Sequence, residues 1–211
     1  MTVEEYYIPT RDSETEFVEK RSRFIGHVAH VTTEEAARAF VQAMKKRYHD
    51  ARHNCWCYVI REEGSVRYSD DGEPQGTAGQ PMLNVFQKEQ ITDVVCVVTR
   101  YFGGILLGAG GLVRAYTRSA KDALDAAGVS VVRRWVELSS PCGYNLFTRV
   151  QQEVESAQGV VTDTEYGADV TVKALLPEEG AEDFAAHITD ITAGSVAAVV
   201  TGEARKAVPI R

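Results

Sequence analysis

The 211-residue sequence predicts an α+β protein built from two α/β-sandwich domains, residues 1–134 and 135–211. Three observations lead there: strand-like and helix-like stretches alternate through the first part, the order of elements restarts after Arg134, and charge is divided unevenly. Residues 1–134 carry eighteen basic and eighteen acidic side chains and residues 135–211 carry five and twelve, so the whole formal charge of −7 belongs to the second part. A polyanion is repelled by that part. Nucleic-acid contact is therefore expected on the first domain, and a protein partner is the natural use of the acidic second one.

In the first domain, Ser22 to Val31 alternates as a strand does, and Thr32-Thr-Glu-Glu-Ala caps a helix with Ala36, Phe40 and Met44 on one face, ending near Tyr48. Cys55 to Ile60 is apolar on both faces, as in a central strand. Tyr68 to Pro81 is a turn-rich acidic loop in which Thr77 is positioned to cap a short helix over Met82 to Lys88. Asp93 to Thr99 is a second fully apolar strand, followed by a glycine-rich turn and a helix from about Gly111 to Ala127. Leu112, Tyr116, Ser119, Ala120, Ala123 and Ala127 recur at helical spacing and form its buried stripe.

The second domain reads as a strand over Trp135 to Tyr144, a helix over Leu146 to Gln158 and a hairpin turning at Gly167. A helix over Glu178 to Thr192 and a strand over Ser195 to Ala204 complete it. That βαββαβ order is the ferredoxin-like pattern. It carries no Cys₄ spacing, so no iron–sulfur cluster is implied.

The stretch from Arg100 to Tyr116, RYFGGILLGAGGLVRAY, concentrates the chemistry. Five glycines between an apolar strand and a helix leave backbone amides free to face an anion. No acidic residue falls between Asp93 and Asp122, whereas Arg100, Arg114, Arg118 and Lys121 do. Arg118 with Asp122 and Lys121 with Asp125 are i, i+4 pairs of roughly 0.2–0.5 kcal/mol each. Arg114 has no such partner and sits near the helix's positive end, where a cation is disfavoured. Either an anionic ligand or a carboxylate from the acidic loop, Glu73 or Asp71, must answer Arg114 or Arg100. The candidate phosphate-binding set is Arg100, Tyr101, Gly103, Gly104, Gly108, Gly110, Gly111, Arg114 and Arg118. Arg52, His53, Asp70, Asp71, Glu73 and Thr77 form accompanying motifs whose role stays open.

His49-Asp-Ala-Arg-His-Asn-Cys-Trp-Cys57 invites a zinc reading, but the two cysteines fall on one face of a strand without a matching ligand pair, so no metal is expected. Four cysteines in a chain of this size form no disulfide framework, and Met-Thr-Val-Glu-Glu-Tyr lacks a signal-peptide profile. A cytoplasmic protein without membrane contact or cofactor is expected.

His53-Asn-Cys-Trp, Asp70-Asp-Gly-Glu-Pro-Gln-Gly-Thr-Ala-Gly79 and the Arg100 to Tyr116 block, in that order, resemble the signature blocks of the IMPACT family, whose bacterial members are the YigZ-type proteins. The resemblance implies a first domain folded like the second domain of a small-subunit ribosomal protein, within the superfold shared with GHMP kinases. The second domain would resemble one found in elongation factor G. It further implies a non-catalytic regulator of translation or stress response, with RNA or the ribosome as partner of the first domain. Eukaryotic members look like regulators of translation that carry a different extra domain. The alternative it leaves open is a nucleotide-dependent phosphotransfer enzyme. In that enzyme the glycine turn holds the nucleotide's phosphates, and Asp70, Asp71 or Glu73 holds magnesium or acts as base, although the turn lacks the serines such loops present.

Overall fold

A computed structural model describes residues 5–210; residues 1–4, on which the reading of the amino terminus partly rests, lie outside it. The strands are β1 (Tyr6–Pro9), β2 (Ser13–Glu19), β3 (Ser22–His30), β4 (His53–Ile60), β5 (Ser65–Ser69), β6 (Val94–Tyr101), β7 (Val129–Cys142), β8 (Val160–Tyr166), β9 (Val170–Pro177) and β10 (Val199–Pro209). The helices are α1 (Glu34–Arg47), α2 (Gly79–Lys88), α3 (Ala109–Ala127), α4 (Phe147–Ser156) and α5 (Ala181–Ile191). The result is an α+β fold with two sheets. The described residues divide into two compact units, one of residues 6–131 together with 207–210 and one of residues 132–206 together with Glu5.

In the first unit the sheet order is β2-β3-β6-β4-β5, every pair antiparallel. The central strand β6 is buried on both faces because its apolar run has no polar alternation to offer solvent. Cys96 and Val98 pack toward α2 and α3, while Val95 and Val97 pack under α1. On α1 the Thr33 hydroxyl accepts from the Ala36 amide at 3.1 Å, as a cap should. The buried stripe of that helix is Ala37, Phe40, Val41 and Met44, displaced by one residue from the expected Ala36, which lies exposed in the first turn. On α3 the expected stripe is buried, with Ala115 and Leu124 widening it.

Three strands go beyond the sequence reading. Both β2 and β5 are sheet edges, and β2 carries carboxylates that pair with bases of β3 and α1, Glu16 with Arg23 at 2.7 Å and Glu14 with Arg47 at 2.9 Å. An edge strand solvated in this way shows no apolar period. The short β1 joins β7. Strand β7 continues unbroken through Arg134 and Trp135, and β10 ends at Pro209 rather than Ala204.

Helix α2 begins at Gly79, three residues earlier than its apolar pattern predicts. The Asp70 carboxylate accepts from the amides of Gly76, Ala78 and Gly79 at 2.8, 3.0 and 2.8 Å and so caps the helix from across the loop. Thr77, the expected cap, instead donates its hydroxyl to the Pro74 carbonyl at 2.6 Å.

The second unit follows the βαββαβ order in chain sequence, with strands side by side as β10-β7-β9-β8. Helices α4 and α5 cover one face, Val150, Val154, Phe184 and Ile188 packing on Leu138, Val172 and Leu176. Among the described residues no helix is long and apolar enough to cross a membrane.

On β3, His27 is buried with Nε2 unpartnered and Nδ1 3.6 Å from Glu14. Burial pushes its pKa below the ordinary 6.5, against the pull of Glu14. The unfolded chain therefore takes up this proton more readily than the folded one, and the associated stability is present above about pH 6.5 and lost as pH falls through the depressed folded value. His27→Leu is expected to flatten that limb. Urea midpoints measured between pH 5 and 7.5 check this, and an unchanged slope in the variant contradicts it.

Candidate functional site

Between the end of β6 and the start of α3 the backbone must pass close to the β2–β3 turn. A Cβ on Gly103 would lie 1.9 Å from the Arg21 carbonyl oxygen, so only glycine fits there. The Gly103 amide donates to Ser22 Oγ at 3.3 Å. Gly108, at φ +73, then turns the chain into α3 in the left-handed region. The Leu112 amide donates to the Gly108 carbonyl at 2.9 Å and so closes the first helical turn. The amides of Ala109, Gly110 and Gly111 precede that bond, and no side chain caps them. Their N–H groups lie at the positive end of a 19-residue helix.

Two cavities flank this turn. The larger, of about 540 Å³, is lined by Arg52 and His53 of β4 and its approach and by Phe102, Leu106, Leu107, Gly108 and Ala109 of the glycine-rich turn. The smaller, of about 220 Å³, lies along α3 and is lined by Phe17, Glu19, Lys20, Arg114 and Arg118. Leu107 belongs to both walls.

Beneath the larger cavity sits a buried polar network. Arg100 Nη1 donates to Glu73 Oε1 at 2.7 Å, Nη2 donates to Ser22 Oγ at 3.2 Å, and the Tyr116 hydroxyl donates to the same Glu73 oxygen at 2.8 Å. Both ionic side chains are more than nine-tenths buried, at 6% and 3% exposure. Burial, with the Cys55 thiol and Glu73 adding to it, pushes the Tyr116 phenol far up, so it remains a donor.

The acidic loop is equally occupied. Asp71 accepts from Lys45 at 2.5 Å and from the Asn54 amide at 2.7 Å, while its carbonyl accepts from His53 Nδ1 at 2.9 Å. A carbonyl only accepts, so Nδ1 of His53 carries a proton. The Cys55 thiol donates to the Asp70 carbonyl at 2.9 Å, and burial raises its pKa and that of Cys57. Among the described residues no three histidine, cysteine or acidic side chains are grouped to hold a metal.

The proposed phosphate ligands therefore separate. Arg100 is answered by Glu73, the internal carboxylate foreseen for it, and acts as part of the floor rather than as a free cation. Arg118 pairs with Asp122 at 3.3 Å and lies 4.3 Å over the Phe17 ring. Lys121 is held by Asp125 and by Glu89. The Tyr101 hydroxyl donates to Asp50 at 2.7 Å and its ring has Arg23 over it at 5.7 Å, while Phe102 has the Arg100 guanidinium 5.5 Å from its ring centroid and is 44% exposed. Gly104, at φ +83, only bends the loop and has no atom near its Cβ position. Arg52 and Arg114 are exposed and make no ion pair among the described residues.

Residues 20–124 match the Impact N-terminal domain, a span that encloses every residue lining the larger cavity, and residues 142–195 match a domain of unknown function (DUF1949). The IMPACT family member YvyE of Bacillus subtilis is 38% identical over 190 residues, covering 90% of this chain and 88% of that protein. The chain belongs to the IMPACT family. YigZ of Escherichia coli, another IMPACT member, is 36% identical over 180 residues, covering 84% of this chain and 88% of its own. A crystal structure described as that of a hypothetical protein superposes with a TM-score of 0.58 at 34% identity, covering 94% of this chain and 98% of that one. The IMPACT signature blocks named from the sequence thus meet around a single cavity. What sequence reasoning missed are the exposed Leu106 on the wall of this cavity, Ser22 and Lys45, which hold Arg100 and Asp71 around it, and Lys20 on the smaller cavity. Only Lys20 carried a signal, as a base beside the β2–β3 turn.

Removing one member of a buried ion pair leaves the other charge uncompensated, at about 3–5 kcal/mol. Glu73→Gln is expected to destabilise the protein by about that much in urea unfolding. Adding Arg100→Met should recover more than half of the loss. Additive losses in the double variant would show that the two side chains do not act as a pair.

Proposed function

We propose that this IMPACT family member is a non-catalytic regulator associated with translation, and that it binds RNA by its phosphates at the glycine-rich turn entering α3. One observation carries the reading: an unpaired Arg52 and Ala109, the first of three residues with uncapped amides at the start of α3, line the same cavity of about 540 Å³, together with the exposed ring of Phe102. Backbone donors at a positive helix end and a guanidinium suit a phosphate, and an exposed aromatic ring suits a base. Translation enters from the family's eukaryotic members, which the sequence blocks resemble. Stress response, the ribosome and a cytoplasmic location belong to the same proposal, as does a protein partner for the acidic second unit.

Phosphotransfer finds less support. The carboxylates that would hold magnesium or accept a proton are already used, Asp70 by three loop amides, Asp71 by Lys45 and Asn54, and Glu73 by Arg100 and Tyr116.

For the fold we propose two domains that meet within β7, near the 134/135 boundary read from the sequence. The strand order β10-β7-β9-β8 with both helices on one face supports a ferredoxin-like second domain. A helix layer on each face of the five-stranded sheet is compatible with the ribosomal-protein and GHMP-kinase likeness of the first.

Arg52→Ala is expected to weaken binding of a single-stranded RNA for every sequence tried and to flatten the dependence of log K on log salt by about 0.7, one phosphate contact. Fluorescence anisotropy from 50 to 300 mM salt measures both. A wild-type protein that binds no RNA, or an unchanged slope in the variant, overturns the reading.

A further inference from the structure

We infer that the smaller cavity beside α3 is a second phosphate subsite, so that the ligand is a strand of at least two nucleotides and not a mononucleotide. This rests on the reading just given for the larger cavity and adds its substrate class.

The inference starts from Arg114. It sits in the second turn of α3, where the helix's own field disfavours a cation, and it makes no ion pair among the described residues. Its Nη1 lies 3.6 Å from where a Cβ on Gly110 would be. The guanidinium therefore folds back toward the uncapped amides rather than out toward the helix's negative end. Every other base on this helix has an internal carboxylate, Arg118 with Asp122 and Lys121 with Asp125 and Glu89. A positive charge held against a positive helix end without a counterion is a local conflict of the kind an anion resolves.

The surroundings match. Lys20 lines the same cavity from the β2–β3 turn, where it is held at φ +45, a conformation a non-glycine residue seldom adopts. Glu19 and Asp122 offset two of the three cations there, Lys20, Arg114 and Arg118, leaving the wall net positive. At about 220 Å³ the space suits a phosphate group, whereas the neighbouring 540 Å³ suits a nucleoside with its phosphate. Leu107 forms a wall of both cavities, so they are adjoining parts of one surface. Gly108 in one and Arg114 in the other are six residues apart, about 9 Å along the helix before the guanidinium folds back. An acidic peptide would satisfy the cations but would leave the exposed part of the Phe102 ring without a flat partner, so a nucleic-acid strand is the better fit.

Isothermal titration with AMP, with the 5′-phosphorylated dinucleotide pApA and with deca-glutamate separates the possibilities, using the full chain, Arg52→Ala and Arg114→Ala. The unaltered protein is expected to bind pApA about tenfold more tightly than AMP, since the second phosphate engages without a second loss of translational freedom. Arg114→Ala should cut that advantage to about twofold while leaving AMP binding unchanged, and Arg52→Ala should weaken both. Arg114 is exposed, and an unaltered thermal midpoint verifies that its variant is folded. Equal binding of AMP and pApA overturns the second subsite and spares the first, as does an Arg114→Ala loss that is the same for both ligands. Deca-glutamate binding as tightly as pApA overturns the nucleic-acid assignment. No binding of either nucleotide removes the reading of the larger cavity as well.

Discussion

The buried contact among Arg100, Glu73 and Tyr116 is the constraint on which the first unit's site depends. It ties the end of β6, the acidic loop and the middle of α3 to one carboxylate oxygen. In a poorly polarisable interior that arrangement is tolerable only because each charge is answered. Ser22 accepts from Nη2 of Arg100 and also from the Gly103 amide, which brings the β2–β3 turn against the glycine-rich turn. A single buried pair thus decides how closely three loops approach, and thereby the shape of the larger cavity.

Neutralisation below and exposure above are two sides of one design. Carboxylates of the acidic loop are used internally: Asp70 starts α2, Asp71 holds α1 through Lys45 and β4 through the Asn54 amide, and Glu73 answers Arg100. Nothing negative from that loop is left to reach Arg52 or Arg114. The uncapped start of α3 adds partial positive charge that no side chain offsets. The resulting surface is positive in a chain whose net charge is −7. Local arrangement, and not overall charge, sets what such a surface attracts.

Much of the fold was legible because the determining signals are local. The run Val94-Val-Cys-Val-Val-Thr99 has no polar face to present, so it had to be a doubly covered strand. The alternation of elements after Trp135 likewise led to βαββαβ. Edge strands β2 and β5 escaped because solvent accepts their polar side chains and no apolar period results. On α1 the expected Phe40 and Met44 face the core and only Ala36 gives way to its neighbour Ala37, since a helical spacing of 3.6 leaves neighbouring faces nearly equivalent until the sheet beneath is known.

For the site, the sequence by itself determined its materials: the glycines that allow the turn, the bases around it, the absence of acids between Asp93 and Asp122, and the IMPACT signature blocks. Tertiary structure alone decided which charges cancel. Arg100 and Arg114 look alike in the sequence, yet one meets Glu73, 27 residues away, and the other meets no carboxylate among the described residues. Asp70 reaching Gly79 and Lys45 reaching Asp71 are of the same kind. Such pairings depend on where distant segments come to rest, and Coulomb attraction acts through space and not along the chain.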